Sequence, residues 1–330
     1  MEKIHVALAV CDPKGNYTQH AGVTIASVFA NTKSPVCAHI LHDETLTDEN
    51  RTKLKELAEN FGQEIEFINA AGYIDKRMKS IGNFPSVSSK GMLFRLLLPD
   101  LSQENKMLYL DCDIVATLDI AELWNTDLQD KSIAAVPDVC SLDYIENRRK
   151  WPKFYGKLWD AIGIKRGEYF NSGVLLMNLK KLREEKDFLL HVEQFLSKYK
   201  NCLFFADQDC LNSLFSEDKI LLDEKFNRIR WHDTNNPKEI KTIWHYAHHK
   251  PWEYYERPGI DELYWIYFRQ TPWGRDENAL ITEMLQSLSS SKYVHLHSST
   301  CVEKLRNKLA ENIFNGHVWI SLKLFLSKFL

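Results

Sequence analysis

Apolar stretches alternate with polar ones along the first seventy residues in a strand–helix rhythm. Residues 4–11 (IHVALAVC) are apolar at nearly every position, which predicts a strand buried on both faces, as in a parallel sheet. Asp12-Pro13-Lys14-Gly15-Asn16 follows as a turn cluster. Residues 21–29 carry Val28 and Phe29 at helical offsets from Ile25, and Asn31-Thr32 closes that helix. Residues 38–42 read as a second strand. Thr47 opens a helix with Leu54, Leu57, Ala58 and Phe61 on one face and Gly62 at its end. Residues 64–68 make a third strand. This order predicts an α/β sheet with right-handed crossovers, whose ligands bind beyond the carboxyl ends of the strands.

The pattern continues with a short helix over 88–99 that embeds Arg95 and ends at Pro99. Residues 107–115 (MLYLDCDIV) read as one buried strand. On a strand, Asp111 and Asp113 share a face. Two carboxylates held close in a sheet repel unless a cation lies between them, and hard oxygen ligands favour Mg²⁺ or Mn²⁺. The competing reading ends the strand at Asp111 and solvates both aspartates; spacing alone leaves the two balanced. Arg95 is similarly either a partner for a structural acid or a cation facing a phosphate.

Residues 118–128 form a loop and helical turn carrying Trp124, and 133–136 a buried strand ending at Pro137-Asp138. Residues 141–167, rich in charge, Trp and Tyr, read as a surface insertion beside the crevice. A strand over 169–179 has small polar residues at its head, and a helix follows from about residue 180. Residues 204–215 predict a helix whose first-turn acids, Asp207 and Asp209, could serve its dipole. Short strands at 220–222 and 242–246 follow, then His248, His249, Lys250, Pro251 and Trp252.

Composition narrows the classes. A formal net charge of -3 gives no global reason to expect nucleic acid. Seven scattered cysteines without a C-x-x-C pair point to free thiols in a reducing compartment, and no zinc site is readable from their spacing. The apolar start is too short for a usual signal segment, and no run reaches transmembrane length. A cytoplasmic protein is expected. Residues 289–292 are the best linker. The tail beyond them mixes Lys304, Arg306, Lys308, Lys323 and Lys328 with a crowded apolar end. It reads either as a helix packed on protein or as an amphipathic segment lying peripherally at the inner face of the plasma membrane.

Taken in order, Asn16-Tyr17, Ala21 to Val28, Phe94-Arg95-Leu96, Tyr109 to Val115 with Leu123-Trp124, Tyr169 to Leu179, Asp207-Gln208-Asp209 with Leu211-Asn212, Lys225-Phe226-Asn227, and His245-Tyr246 with Lys250-Pro251-Trp252 form a recognisable set. The set resembles the bacterial glycosyltransferases of family 8, which include lipopolysaccharide galactosyl- and glucosyltransferases, and more distantly the glycogenins. The resemblance covers about residues 3–275. It implies a Rossmann-like nucleotide-diphospho-sugar transferase fold of GT-A type, a mostly parallel α/β sheet flanked by helices, over residues 1–275. Residues 276–330 would be a helical C-terminal extension.

The resemblance also implies roles. Asp111, Asp113 and His245 would hold Mn²⁺ or Mg²⁺ on the diphosphate of a UDP-sugar, UDP-glucose or UDP-galactose. Lys250 would contact the diphosphate and Arg95 the sugar–phosphate region. Asp12, Asn16 and Tyr17 would hold uracil and ribose, with Cys112 offering backbone to the ribose. Asn171, Asp207 and Gln208 would line the sugar, and Asp138 and Asp209 would face a glycan, glycolipid or glycoprotein acceptor. Family members retain the anomeric configuration. Gln208 is a weak nucleophile, which favours same-face attack, with Asp207 as the competing covalent nucleophile.

Two departures stand out. The turn from Cys11 to Tyr17 is longer than the family's Asp-Asp-Asn-Tyr, and Tyr246-Ala247-His248-His249 lacks the glycine that would let backbone approach a phosphate. The sequence leaves two other classes open. One is a non-catalytic nucleotide-sugar-binding member. The other is a sugar nucleotidyltransferase, for which Asp12-Pro13-Lys14-Gly15 is a poor phosphate loop.

Overall fold

A computed structural model of the chain describes residues 2–77, 89–139, 152–185, 187–203, 205–229, 236–247, 250–253 and 259–290. His248, His249, residues 141–151 and the tail beyond residue 290 lie outside the described residues, and with them the membrane reading of the tail. The centre is a seven-stranded sheet in the order β3-β2-β1-β4-β7-β6-β8. Its strands are β1 (Ile4–Val10), β2 (Val36–His42), β3 (Glu64–Asn69), β4 (Met107–Leu110), β6 (Ile133–Pro137), β7 (Phe170–Met177) and β8 (Lys219–Leu221). β5 (Ile114–Ala116) and β9 (Ile243–His245) form a separate antiparallel pair. Strand β7 runs antiparallel to both neighbours, and the other pairings in the large sheet are parallel.

The unbroken apolarity of β1 has a direct cause. Ile4, Val6, Leu8 and Val10 enter one core while Ala7 and Ala9 enter the other. The first core is capped by α1 (Thr18–Asn31) and α2 (Asp48–Phe61). Thr47 accepts from Asn50 N at the start of α2, and Gly62 closes it at φ 61°. The second core is filled from α3 (Phe188–Tyr199) and α4 (Ala206–Leu214), by Leu189, Val192, Phe195, Leu196, Cys210 and Leu211. Late in the chain, α5 (Ile260–Phe268) returns to the first core with Leu263, Tyr264 and Phe268.

Four expectations change. The stretch 107–115 is not one strand: β4 belongs to the large sheet, β5 to the small one, and Asp111-Cys112-Asp113 is the corner between them. The helical path through 91–101 does not stop at Pro99, which sits in the first turn of the segment Leu98–Leu101, where its missing N–H costs nothing. The insertion is not all surface, since Leu158, Trp159, Ile162 and Ile164 are buried and Trp159 stacks on Tyr169 with centroids 4.4 Å apart. The helix expected from about residue 180 is two segments, Leu179–Glu184 and α3, parted near Asp187 at φ 77°.

At the far end, α6 (Glu277–Ser290) buries Leu280 in the first core, and Ser287 Oγ donates to Pro251 O at 2.6 Å. The first part of the expected extension is therefore packed on the body. Among the described residues no helix is long and apolar enough to cross a membrane.

Candidate active site

The corner between the two sheets is built by backbone satisfaction. Asp111 N donates to Gly173 O at 2.8 Å, anchoring the corner to β7. Beyond it, Thr24 Oγ1 of α1 donates to Ile114 O at 2.9 Å, and Ala116 N donates to Ser27 Oγ at 3.0 Å. Helix α1 thus supplies partners to a strand that has left the main sheet. Cys112 Sγ donates to Ala9 O at 3.2 Å, so its side chain turns into the protein and leaves only its backbone at the corner.

The two aspartates are used differently. Asp111 Oδ1 accepts from Arg95 Nη2 at 2.8 Å and from Tyr109 Oη at 2.9 Å, while Oδ2 lies 3.9 Å from His245 Nε2. Asp113 is 8% exposed; its Oδ2 pairs with Lys250 Nζ, and its Oδ1 is buried with no hydrogen-bond partner, 3.2 Å from His245 Nε2. Burial pushes the Asp113 carboxyl up, but the Lys250 ammonium outweighs it and holds the group well below the usual carboxylate range. It is ionised wherever the protein is folded near neutrality.

A hydrogen-bond chain sets the His245 tautomer. Gly173 N donates to Asn171 Oδ1 at 2.9 Å, which fixes that oxygen as an acceptor. Asn227 Nδ2 donates to the same oxygen at 2.9 Å, so Asn227 Oδ1 is left to accept from His245 Nδ1 at 2.9 Å. The ring proton is therefore on Nδ1, and the Nε2 lone pair faces the aspartates. Gly173 is needed for space: a Cβ there would collide with His245 Cε1 and stand 2.7 Å from Asp111 Oδ2.

Arg95 lies beneath this centre rather than at its mouth. Its Nη1 donates to Ser172 O at 2.6 Å, its Nε lies 3.2 Å from Asp207 Oδ2, and its guanidinium sits 4.4 Å over the Tyr109 ring. The side chain is buried between two carboxylates. Burial raises the Asp207 carboxyl above its usual range, against the pull of Arg95. Gln208 is engaged at both ends: Nε2 donates to Asp138 Oδ2 at 3.0 Å, and Oε1 accepts from Ser172 N at 3.0 Å. Asp138 also accepts from Asn171 Nδ2 at 3.3 Å and is 2% exposed, below Gln208. Asp209 is spent on Tyr169 Oη at 2.8 Å and on Phe205 N at 3.2 Å.

The turn after β1 gives a similar result. Asp12 accepts from Tyr17 N at 2.8 Å and from Thr18 N and Oγ1 at 2.9 and 2.6 Å, so it caps α1 and is buried. Asn16 and Tyr17 are exposed at the rim. Behind them His20 stacks on Trp252, centroids 3.7 Å apart, and its Nδ1 lies 2.7 Å from Tyr264 Oη. Burial depresses the His20 imidazole to about 3.

The structure thus gathers Asp111, Asp113, His245 and Lys250 in one place, with Asn171, Asp207, Gln208 and Asp138 in the layer beneath. The ligand-capable atoms of Asp111, Asp113 and His245 lie within 4.8 Å of one another. A lone buried oxygen, an imidazole lone pair and a second carboxylate oxygen form a donor set that fits a hard or borderline divalent ion. Sequence reasoning gave no role to Ser172, Gly173 or Asn227. Asn227 stood in the Lys225-Phe226-Asn227 motif, but a side-chain relay from β7 through Asn227 to β9 has no spacing signal.

Comparison with known proteins follows this geometry. Residues 9–256 match the model of Glycosyl transferase family 8. General stress protein A of Bacillus subtilis (strain 168) is 24% identical over 86% of this chain and 100% of its own length. Glycosyltransferase GlyA of Streptococcus pneumoniae serotype 4 is 29% identical over 76% of this chain but only 33% of its own length, and a putative glycosyltransferase of Haemophilus influenzae is covered over 60% of its length. Among solved structures, the galactosyltransferase LgtC in complex with donor and acceptor sugar analogs superposes with a TM-score of 0.63 at 25% identity, over 82% of this chain and 96% of LgtC. The bifunctional WbbM shares the fold, with a TM-score of 0.69 at 19% identity over 86% of this chain and 52% of WbbM. The architecture is that of the GT-A glycosyltransferases, and the chain belongs to glycosyl transferase family 8.

Proposed function

We propose that the protein is a metal-dependent, retaining hexosyltransferase that moves glucose or galactose from a UDP-sugar to a hydroxyl of a glycan or glycoconjugate. The observation that carries this reading is the orphaned Asp113 Oδ1 facing the His245 lone pair. A buried carboxylate oxygen without a donor is costly, and a cation at that point removes the cost. Asp111 Oδ2, Asp113 Oδ1 and His245 Nε2 would hold Mn²⁺ or Mg²⁺, which supplies charge stabilisation to a departing diphosphate. The relation to LgtC, solved with donor and acceptor sugar analogs, supports a hexose donor.

Lys250, now paired with Asp113 and bonded to Tyr246 O at 2.7 Å, is the cation within reach of the diphosphate. Tyr17 and Asn16 at the rim suit the base and ribose, whereas Asp12 positions them through the α1 cap. Arg95 acts by fixing Asp111 from behind. In the reaction the acceptor oxygen forms a bond to the anomeric carbon as the bond to the β-phosphate oxygen breaks. The acceptor proton passes to that departing oxygen on the same face. Two facts favour this path over a covalent one: Gln208 is tied at both ends, and Asp207 is locked to Arg95 and Ser172.

The test is UDP release from a panel of UDP-sugars, with and without Mn²⁺. One donor should be hydrolysed slowly in a Mn²⁺-dependent way, and Asp113→Ala should reduce the rate by about 10²–10³-fold. Donor binding without turnover, for every donor and acceptor tried, would replace this reading with a binding-only role. A glycosyl adduct trapped on Asp207 would replace the same-face path.

A further inference from the structure

The first half of β1 and the neighbouring part of β2, inside the large sheet, carry a second cluster with different chemistry. His5 near the start of β1 pairs in register with Cys37 of β2, and His39 follows two residues on, so all three side chains share one face. Their ligand-capable atoms lie within 4.8 Å of one another. His5 Nδ1 and His39 Nε2 are 2.9 Å apart. The outer nitrogens each face a carboxylate: His39 Nδ1 is 3.2 Å from Glu66 Oε2, and His5 Nε2 is 3.4 Å from Glu104 Oε2. Cys37 and His39 are buried, at 1% and 2% exposure.

The proton count is what makes this cluster unusual. Two neutral imidazoles carry two ring protons between them. If each outer nitrogen holds one, to face its glutamate, both inner nitrogens present lone pairs to each other. If one inner nitrogen holds a proton, an outer lone pair faces a carboxylate. His39 Nδ1, shut off from solvent and without a well-aligned hydrogen bond, shows that the arrangement is unsatisfied as it stands. A third ring proton would satisfy the imidazoles but leave Cys37 without a part; a metal cation at the centre uses all three, with both inner nitrogens as ligands and both outer N–H groups turned to glutamates, the usual second layer of a histidine metal site.

We propose that His5, His39 and Cys37 form a second metal site, for one divalent ion of the zinc class bound by two imidazole nitrogens and a thiolate. Nitrogen and sulfur donors select such an ion over Mg²⁺ or Mn²⁺. Coordination forms the metal–sulfur bond and releases the thiol proton to solvent, while the imidazoles change tautomer without net proton loss. Burial, aided by Glu66 and Glu64, pushes the Cys37 thiol up to about 12, so the same carboxylates that disfavour a bare thiolate favour a cation beside it. The ion would tie β1 to β2 within the sheet, near the start of β1 rather than at its end beside Asp12, and the inference stands apart from the proposed transfer reaction.

Cobalt titration of the full chain under reducing conditions tests it, because Co²⁺ reports a thiolate ligand by a charge-transfer absorption. One equivalent should saturate the band, and added Zn²⁺ should abolish it. Cys37→Ala and His5→Ala should each remove the band, with zinc affinity falling about tenfold or more, whereas Asp113→Ala should leave it intact. His5 is partly exposed, so its variant answers even if the buried change impairs folding. Failure of the wild-type chain to develop the band, its survival in Cys37→Ala, or its loss in Asp113→Ala would each overturn the assignment. None of these outcomes depends on sugar transfer.

Discussion

Asp111 belongs to two ionic centres that differ in one respect. On one side, Arg95 joins Asp111 Oδ1, Asp207 and Ser172 in a closed group where each charged atom has a partner. On the other, Asp111 Oδ2, Asp113 Oδ1 and His245 Nε2 converge, with Lys250 paired to the far oxygen of Asp113. The closed centre is built to hold still and the open one to receive. A half-buried carboxylate can therefore be structural through one oxygen and functional through the other.

The largest effect should come from breaking the closed centre. Arg95→Met leaves the buried Asp207 and the half-buried Asp111 without their shared counter-charge and should cost about 3–5 kcal/mol of stability, read by denaturant unfolding. Asp113→Asn removes a buried charge whose Oδ1 has no partner, beside a Lys250 that stays 23% exposed and can be solvated, and should cost less than half as much while removing turnover. If Asp113→Asn proved the more destabilising of the two, the division between the centres would be wrong.

A smaller effect separates tautomer control from simple packing. Asn227→Ala removes the acceptor that keeps the His245 proton on Nδ1, and should weaken Mn²⁺ binding by about 10–100-fold with the fold intact. Asn227→Asp can still accept from His245 but cannot donate to Asn171 Oδ1, so it should fall between Ala and the native residue. Calorimetric titration with Mn²⁺ gives the ranking. Equal affinity in all three proteins would show that the relay does not matter.

Much of this was readable in the chain, and the exceptions have physical reasons. The rhythm through residue 69 gave β1, α1, β2, α2 and β3 because β1 and β2 are parallel and buried on both faces and the capped α2 leads into β3. At 107–115 the apolar residues resume directly after Asp111 and Asp113, so one strand and a strand ending at Asp111 stay balanced; β4 does end at Leu110, and only the change of sheet reveals the corner. Of Arg95, spacing could say only that it sat among apolar residues. That it faces Asp207, 112 positions further on, is set by α4 packing on β7, which no local pattern encodes. Asp12 looked like a ligand for the same reason: a capping aspartate and a binding aspartate both follow a strand.

The smallest effect concerns the wall of the open centre. His20 is buried against Trp252 with Tyr264 Oη as its hydrogen-bond partner, and burial holds it at about 3 against 6.5 for an unburied imidazole. The depressed value means that the unfolded chain binds a proton below about pH 6.5 that the folded chain refuses. Stability from this residue is therefore complete above that pH and declines as pH falls toward 3. Between pH 7 and pH 5 the loss should be about 2 kcal/mol. His20→Phe keeps an aromatic face for Trp252 and has nothing to protonate. It should lose a hydrogen bond, about 1 kcal/mol, at pH 7, yet show a shallower decline to pH 5. Paired unfolding curves at the two pH values measure that difference, with other titrating groups common to both proteins. An unchanged slope in His20→Phe would mean that His20 charges in place beside Asp12 and Asp113, and the wall would then share the open centre's electrostatics rather than insulate it.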